Sequence, residues 1–165
     1  MRKRYRFAQA LILGLASLLA AGAAPAETPE TKEAKDVKEA KAKGWWTDDK
    51  GLTWTTTDNG SGSVNWHEAG AYCRALDVGG FHDWRLPSID ELARMYDGTL
   101  PEGKLRIRSP LELSKGTWWI WSGTKDASDP SQAWHLAFHT GKRYSVNFSF
   151  RRDHGRVLCV RHAGE

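Results

Sequence analysis

Residues 84–92 read WRLPSIDEL, and this stretch sets the framework of the predicted fold. Ser88 and Glu91 have the spacing of a capping box, in which the serine side chain accepts a hydrogen bond from the backbone N–H of the glutamate and the glutamate side chain accepts one from the serine. Apolar side chains then follow at helical spacing, beginning with Leu92. The stretch therefore predicts a helix that begins after Ser88, buries Leu92 and ends before Gly98.

The same signature occurs upstream of this helix. Asn65 and Glu68 form a second capping box, and an apolar stripe continues from there to about Leu76. Gly79 and Gly80 follow, and glycine readily takes the left-handed backbone that ends helices. These residues predict another helix, which runs from the Asn65 cap to about Leu76.

Segments rich in β-forming residues flank the two helices. They are residues 52–57, 117–122, 133–139, 143–150 and 156–161, and glycines or polar turns separate the last four. Residues 100–115 have no regular pattern and are predicted as a long loop. The order of a strand, two helices, a loop and an antiparallel meander predicts an α+β fold.

The N-terminus has the pattern of a secretory signal peptide. Basic residues precede an apolar run over residues 7–21, and Ala24-Pro25-Ala26 is an A-x-A cleavage site. We expect cleavage after Ala26 and a periplasmic or extracellular location; an uncleaved membrane anchor over residues 7–26 is the alternative. No cysteine ends the apolar run, so the acyl anchor of a lipoprotein has no attachment point.

Composition and charge define the rest of the chain. Its 165 residues are 40% hydrophobic and 27% charged, as in one globular domain. The formal charge of +4 comes from the leader, because 20 basic and 20 acidic residues remain without residues 1–26. This balance does not predict a nucleic-acid partner. Residues 27–43 are dominated by Lys, Glu and Ala and predict a charged linker, part of which can be helical; residues 44–165 form the domain.

The chain has two cysteines, Cys73 in the first predicted helix of the domain and Cys159 in its last predicted strand. In an exported protein, two cysteines most simply form one disulfide. A reactive thiol is the alternative, but the chain has no CxxC motif and Cys159 lies between two apolar residues.

Several motifs occur in a fixed order along the domain. They are GLTW at 51–54, WxxAxxYCxxL at 66–76, WRLPSxxEL at 84–92, WxWS at 119–122, AW at 133–134 and VLCVR at 157–161. This series resembles the Lcl C-terminal domain family, which is named after a collagen-like adhesin and is found in many exported bacterial proteins. The likeness covers roughly residues 51–162.

The resemblance implies a fold similar to that of C-type lectins, with two helices and an antiparallel sheet closed by a disulfide from the first helix to the final strand. The resemblance does not imply calcium-dependent sugar binding. The nearest candidate ligands are Asp126 and Asp129 beside Pro130, and residues 121–123 read WSG where acidic ligands would be required. We therefore predict no metal site and no cofactor.

The C-terminal half of the chain carries the excess of positive charge. Residues 104–165 contain 11 basic and five acidic residues. The basic residues that flank the strand over residues 143–150 are Lys142, Arg143, Arg151, Arg152 and Arg156. If they gather at one rim they can bind sulfate, phosphate or carboxylate groups; the alternative is that they solvate loops and pair with acids of the first half.

Tryptophans offer a second kind of contact, because aromatic faces stack on sugar rings and collect at interfaces. Side chains alternate along a strand, so Trp119 and Trp121 are predicted on one face and Trp118 on the other. Burial is the expected place of most of these indoles, and Trp118 is predicted to be the exposed one.

No catalytic motif is present. The chain has no G-x-S-x-G, HExxH or P-loop sequence. His135 and His139 lie too far apart on a strand to share a metal ion, and His82-Asp83 is predicted as a turn feature. Arg85 is expected to pair with Glu91 or Asp90.

These patterns together predict an exported, non-catalytic, adhesin-like binding domain that recognises acidic glycans or another polyanion. The alternative is a cell-envelope module for protein–protein interaction or structure, which would use exposed aromatics instead of arginines.

Overall fold

The computed structural model describes residues 31–60, 62–151 and 154–164. The predicted signal peptide and Arg152 lie outside the described residues. In chain order the elements are α1 (Lys32–Lys43), β1 (Trp45–Thr47), β2 (Leu52–Thr55), α2 (Trp66–Arg74), α3 (Ile89–Arg94), β3 (Trp119–Lys125), β4 (Gln132–Ala137), β5 (Lys142–Asn147), β6 (Gly155–Arg156) and β7 (Val160–His162). The fold class is α+β, as predicted.

The strands form two sheets. A three-stranded antiparallel sheet has the order β1-β2-β7, and a four-stranded sheet has the order β5-β4-β3-β6. In the second sheet β3, β4 and β5 are antiparallel neighbours, and the short strand β6 pairs with β3 in parallel. The chain therefore returns beside β3 after the β3–β4–β5 meander and then crosses to the first sheet.

Both capping boxes of the sequence are formed. The Asn65 Oδ1 atom accepts from the Glu68 N–H at 3.0 Å, and Glu68 Oε2 accepts from the Asn65 N–H at 2.8 Å. Ser88 and Glu91 make the same pair of bonds at the start of α3. Helix α2 ends two residues earlier than predicted, because the Leu76 N–H bonds three residues back and the last turn tightens.

Two apolar clusters lie on opposite faces of the four-stranded sheet. Ile120 and Leu136 belong to a cluster with α3 and β2, whereas Trp119, Trp121 and Ala137 belong to a cluster with α2. Neighbouring residues of a strand point to opposite faces, which explains the division. The sheet thus forms the middle layer of the domain.

The predicted disulfide is present between Cys73 on α2 and Cys159 just before β7, with a Cα–Cα distance of 5.5 Å. Both cysteines are buried. The bond links α2 to the three-stranded sheet, because the Thr55 N–H of β2 donates to the Cys159 carbonyl and the Cys159 N–H donates to the Thr55 hydroxyl.

The end of the predicted linker packs on the domain. Ala40 of α1 is buried, and Lys41 forms an ion pair with Glu112 of the long loop. Gly44 caps the helix in the left-handed region, with a φ of 82° and its N–H bonded to the Ala40 carbonyl. None of the helices in the described part of the chain is long and apolar enough to span a bilayer.

Candidate ligand-binding site

Trp118 is an exposed indole immediately before β3. It is 56% exposed, as expected, whereas Trp119 and Trp121 are buried together in one apolar cluster. Ile120 is also buried, in the cluster on the opposite face, so burial itself does not alternate along β3. The backbone of Trp118 is fixed on two sides. Its N–H donates to the His154 carbonyl at 2.9 Å, and its carbonyl accepts from the Phe138 N–H at 3.2 Å. Hydrogen bonds to two neighbouring segments therefore hold the backbone that carries the exposed indole.

Two histidines flank this indole. The His154 ring stacks on Trp118 with a centroid distance of 4.7 Å and an interplanar angle of 12°. The His139 ring lies at 6.0 Å, with its Nδ1 atom 3.3 Å from the Trp118 carbonyl oxygen. Gly116 has a φ of 82°, and a Cβ there would lie 3.3 Å from His154 Nδ1. Glycine at this position thus leaves room for the stacked imidazole.

A cleft of about 370 Å³ opens beside the indole and is called the Trp118 cleft below. Its lining residues are Gly103, Lys104, Leu105, Gly116, Thr117, Trp118 and His139. Lys115 precedes the lining residue Gly116, and Lys142 begins β5 just after the turn that carries His139. Within the described ranges, Lys104, Lys115 and Lys142 make no ion pair. The cleft therefore combines an aromatic face with uncompensated positive charge.

A buried carboxylate holds one wall of the cleft. Asp58 accepts hydrogen bonds from the Ser114 N–H at 3.0 Å, the Ser114 hydroxyl at 2.8 Å and the Thr117 hydroxyl at 2.7 Å. It also accepts from the Gly60 N–H at 2.9 Å. These bonds fix the segment that leads into Trp118, and they were not evident from the sequence.

Asp58→Asn is expected to lower the free energy of unfolding by about 2 kcal/mol, because an amide leaves buried donors unsatisfied. Amide hydrogen exchange at Ser114 should also become faster. Asp90→Asn is the control, since Asp90 is exposed and has one surface partner, Arg143. Urea denaturation of both variants gives the comparison, and equal small losses would contradict the anchoring role of Asp58.

The predicted basic residues are not gathered at one rim in the described part of the chain. Arg143 pairs with Asp90 of α3 at 2.7 Å. Arg151 instead lies near α2, where it pairs with Glu68 at 3.2 Å and donates to the Ser63 carbonyl at 2.9 Å. Arg143 and the end of β5 at Asn147 are about 13 Å apart along the strand. Arg143 and Arg151 therefore lie at separate places on the domain and do not form one continuous rim.

Arg156 is buried, with 9% of its surface exposed, and does not stand at a rim. Its Nη1 atom donates to Ser63 Oγ at 3.4 Å and to the Gly155 carbonyl at 3.1 Å. The reason is the pairing of β6 with β3, which places Arg156 beside Ile120 inside the sheet. Of the candidate residues, Trp118 is the one that lines the Trp118 cleft, and Lys142 begins β5 after the turn that carries the lining residue His139.

Comparison with known families identifies the domain. A family model described as the Lcl C-terminal domain matches residues 46–161. The chain belongs to this family. The match begins in β1 and ends in β7, so it contains both sheets, α2, α3 and the disulfide. A search of curated proteins finds no match to the chain.

His135 is buried inside this Lcl C-terminal domain. Its ring lies 4.6 Å from the Trp119 ring and stacks at 5.6 Å on Tyr144, and its Nδ1 atom has no hydrogen-bond partner. Burial lowers the pKa of His135 to about 4. The residue is a neutral member of the aromatic packing.

The remaining polar candidates of the domain have structural partners. Arg85 forms two hydrogen bonds with Glu91, at 2.8 and 2.9 Å, as expected, and this guanidinium holds the pKa of Glu91 at about 2. Asp83 accepts from Arg161 at 2.6 Å. Asp126 and Asp129 accept from serines two residues further along the chain.

No group of three or more His, Cys, Asp or Glu side chains in residues 31–60, 62–151 and 154–164 could hold a metal ion.

Sequence reasoning did not find the partners of Trp118 in the cleft. Lys104 comes from the long loop, His139 from the β4–β5 turn and His154 from the turn before β6. No local motif joins these positions, because strand pairing alone brings them together. The one signal in the sequence was the alternation of side chains along the strand, which predicted Trp118 on the face opposite to Trp119 and Trp121.

Proposed function

We propose that this protein is an exported, non-catalytic binding domain that recognises acidic glycans at the Trp118 cleft. The observation that carries the proposal is the 56% exposed indole of Trp118 in a cleft that Lys104 also lines, a lysine without an ion-pair partner in the described residues. An exposed aromatic face stacks on the apolar face of a sugar ring, and lysines attract its carboxylate or sulfate groups. The same proposal includes a fold similar to that of C-type lectins.

Export is part of the proposal. The signal-peptide pattern of residues 1–26 and the Cys73–Cys159 disulfide support it, because such bonds persist in oxidising compartments. A periplasmic or extracellular location would bring the Trp118 cleft into contact with envelope or host polysaccharides. The proposed ligand is therefore a polyanion that is available outside the cytoplasm.

Trp118→Ala is expected to weaken binding to heparin by about tenfold, which corresponds to about 1.4 kcal/mol. Tyr144→Ala is the matched control, since Tyr144 is also an exposed aromatic residue but does not line the cleft. Affinity is measured by calorimetry with the purified protein at several salt concentrations, and neutral dextran serves as the uncharged polymer. Unchanged heparin affinity in the Trp118 variant would exclude this site.

The charge component is tested with two further variants. Lys104→Gln combined with Lys142→Gln should reduce the salt dependence of heparin binding, because fewer cations then contact the polyanion. Arg151→Ala with Arg152→Ala removes two of the other predicted cations, and a larger loss in that variant would move the site away from the Trp118 cleft.

The alternative function is a cell-envelope protein–protein interaction. The exposed aromatic residues Trp118 and Tyr144 favour it, because aromatic side chains are enriched at the centres of protein interfaces. Binding to a protein partner would persist at high salt concentration. The protein would then show no preference for heparin over neutral dextran. The salt series therefore separates the two proposals.

A further inference from the structure

A second cleft, called the α2 cleft below, lies between α2 and the segment that precedes α3. It has a volume of about 340 Å³, and its lining includes Trp66, His67, Gly70, Arg74, Arg85 and Gly123. It is separate from the Trp118 cleft, because Gly123 stands about 17 Å further along the chain from Trp118 at strand spacing. The α2 cleft is not used by the proposed function.

Two glycines give the α2 cleft a floor of bare backbone. Gly123 lies where the β3–β4 register shifts, and a Cβ there would be 3.3 Å from Leu86 Cβ and 3.4 Å from the Leu86 carbonyl oxygen. A Cβ at Gly70 of α2 would be 3.2 Å from Arg74 Nη1. Gly123 therefore lets β3 approach Leu86 closely, and Gly70 leaves room for the Arg74 guanidinium to lie against α2.

Trp66 provides a fixed aromatic wall. Its indole N–H donates to the Ser122 carbonyl at 2.8 Å, and its ring stacks on Phe148 at 4.5 Å with an interplanar angle of 22°. The Lys125 ammonium lies 5.7 Å from the centroid of the Trp66 ring. The wall is thus held by β3 and by the chain after β5, and it carries a positive charge at its edge.

Arg74 supplies the recognition group. It is exposed in the last turn of α2, and it forms no ion pair with any residue of the described ranges. Two acids of this region are already engaged, since Glu91 is bound by Arg85 and Glu68 by Arg151. Asp77, three residues after Arg74, is exposed and forms no ion pair with it among the described residues.

We propose that the α2 cleft binds a small ligand that carries one carboxylate on a compact body the size of a sugar ring. The carboxylate pairs with the Arg74 guanidinium, whose planar fork matches two carboxylate oxygens. The body of the ligand rests against Trp66, in the part of the cleft that Gly123 also lines. A cleft of about 340 Å³ has room for a single sugar ring.

The test is a titration of the purified, isotope-labelled protein with sodium glucuronate, followed by nuclear magnetic resonance. We expect saturable shifts of the Trp66 indole N–H and of the Gly70 and Gly123 amides. Glucose has the same ring size without the carboxylate and should produce no saturable shifts. Equal shifts with both sugars, or shifts spread evenly over the surface, would overturn the proposal.

Variants at Arg74 give the second readout. Arg74→Gln should weaken glucuronate binding at least tenfold, and Arg74→Lys should restore part of it because it keeps the charge but not the fork. Arg108→Gln is the matched control, since Arg108 is exposed and does not line the cleft. Wild-type affinity in Arg74→Gln would contradict the proposal, and an unchanged Trp66 indole signal verifies that this variant is folded.

The two clefts can be told apart with Trp118→Ala. This variant should bind heparin about tenfold more weakly and keep its affinity for glucuronate, whereas Arg74→Gln should keep its affinity for heparin and bind glucuronate at least tenfold more weakly. Loss of glucuronate binding in Trp118→Ala, with shifts centred on residue 118 in the wild type, would assign the carboxylate to the Trp118 cleft and overturn the α2 site. Failure of heparin binding alone would leave the α2 site standing.

Discussion

Replacing Cys73 and Cys159 together by alanine is expected to lower the free energy of unfolding by about 4 kcal/mol. The disulfide closes a long loop, because the two cysteines are 86 residues apart in the sequence. In the chain-entropy model such a crosslink removes many conformations from the unfolded state and so stabilises the folded one. The bond also fixes α2 to the segment before β7. Urea denaturation of the purified variant measures the loss.

Reduction of the wild type provides the internal control for this prediction. Dithiothreitol should shift the denaturation midpoint of the wild type towards that of the double variant and leave the double variant unchanged. A double variant within about 1 kcal/mol of the oxidised wild type would mean that packing around α2, and not the crosslink, holds this part of the domain.

The stability of the protein is expected to fall by about 3 kcal/mol between pH 6.5 and pH 4 because of His135. Burial lowers the pKa of this histidine from 6.5 to about 4 in the folded protein. In that interval the unfolded chain binds a proton that the folded protein excludes, so acid favours unfolding. His135→Phe keeps an aromatic ring and removes the titrating group, and its stability should be nearly flat over the same interval.

Urea denaturation at several pH values between 7 and 4 gives the comparison. His82→Gln is the control, since His82 is exposed and lies outside the aromatic packing around His135. Glu91 affects stability over a lower pH range than His135. The pKa of Glu91 falls from 4.5 to about 2 in the folded protein. The stability that its pair with Arg85 contributes is therefore lost only as the pH drops below 4.5. Parallel profiles of wild type and His135→Phe would show that His135 does not carry the effect.

The helices of the domain could be predicted because their signals are local. The capping boxes at Asn65 and Ser88 require contacts over three residues, and both are formed with the predicted partners. The shared face of Trp119 and Trp121 follows from strand alternation, which is also local. The ion pair between Arg85 and Glu91 could be predicted for the same reason, since the two residues are six positions apart.

The site residues depended on contacts that no local pattern encodes. His154 reaches Trp118 because β6 pairs with β3 in parallel, and that pairing also buries Arg156. The strand requires glycine at position 155, where a Cβ would lie 2.3 Å from the Trp119 ring. Sequence patterns place Arg156 at an exposed rim because it is a basic residue beside a predicted strand. Its burial is decided instead by the pairing of β6 with β3.

The sequence by itself determined the α+β class, the two helix starts, the pairing of its two cysteines and the exposure of Trp118. Each of these follows from short-range spacing or from a count that allows one simple solution. Tertiary structure alone decided that Arg143 and Arg151 lie apart, that Asp58 anchors the loop before Trp118 and that Arg74 faces a cleft. These placements depend on contacts between segments distant in the sequence, and strand pairing and packing fix which segments meet.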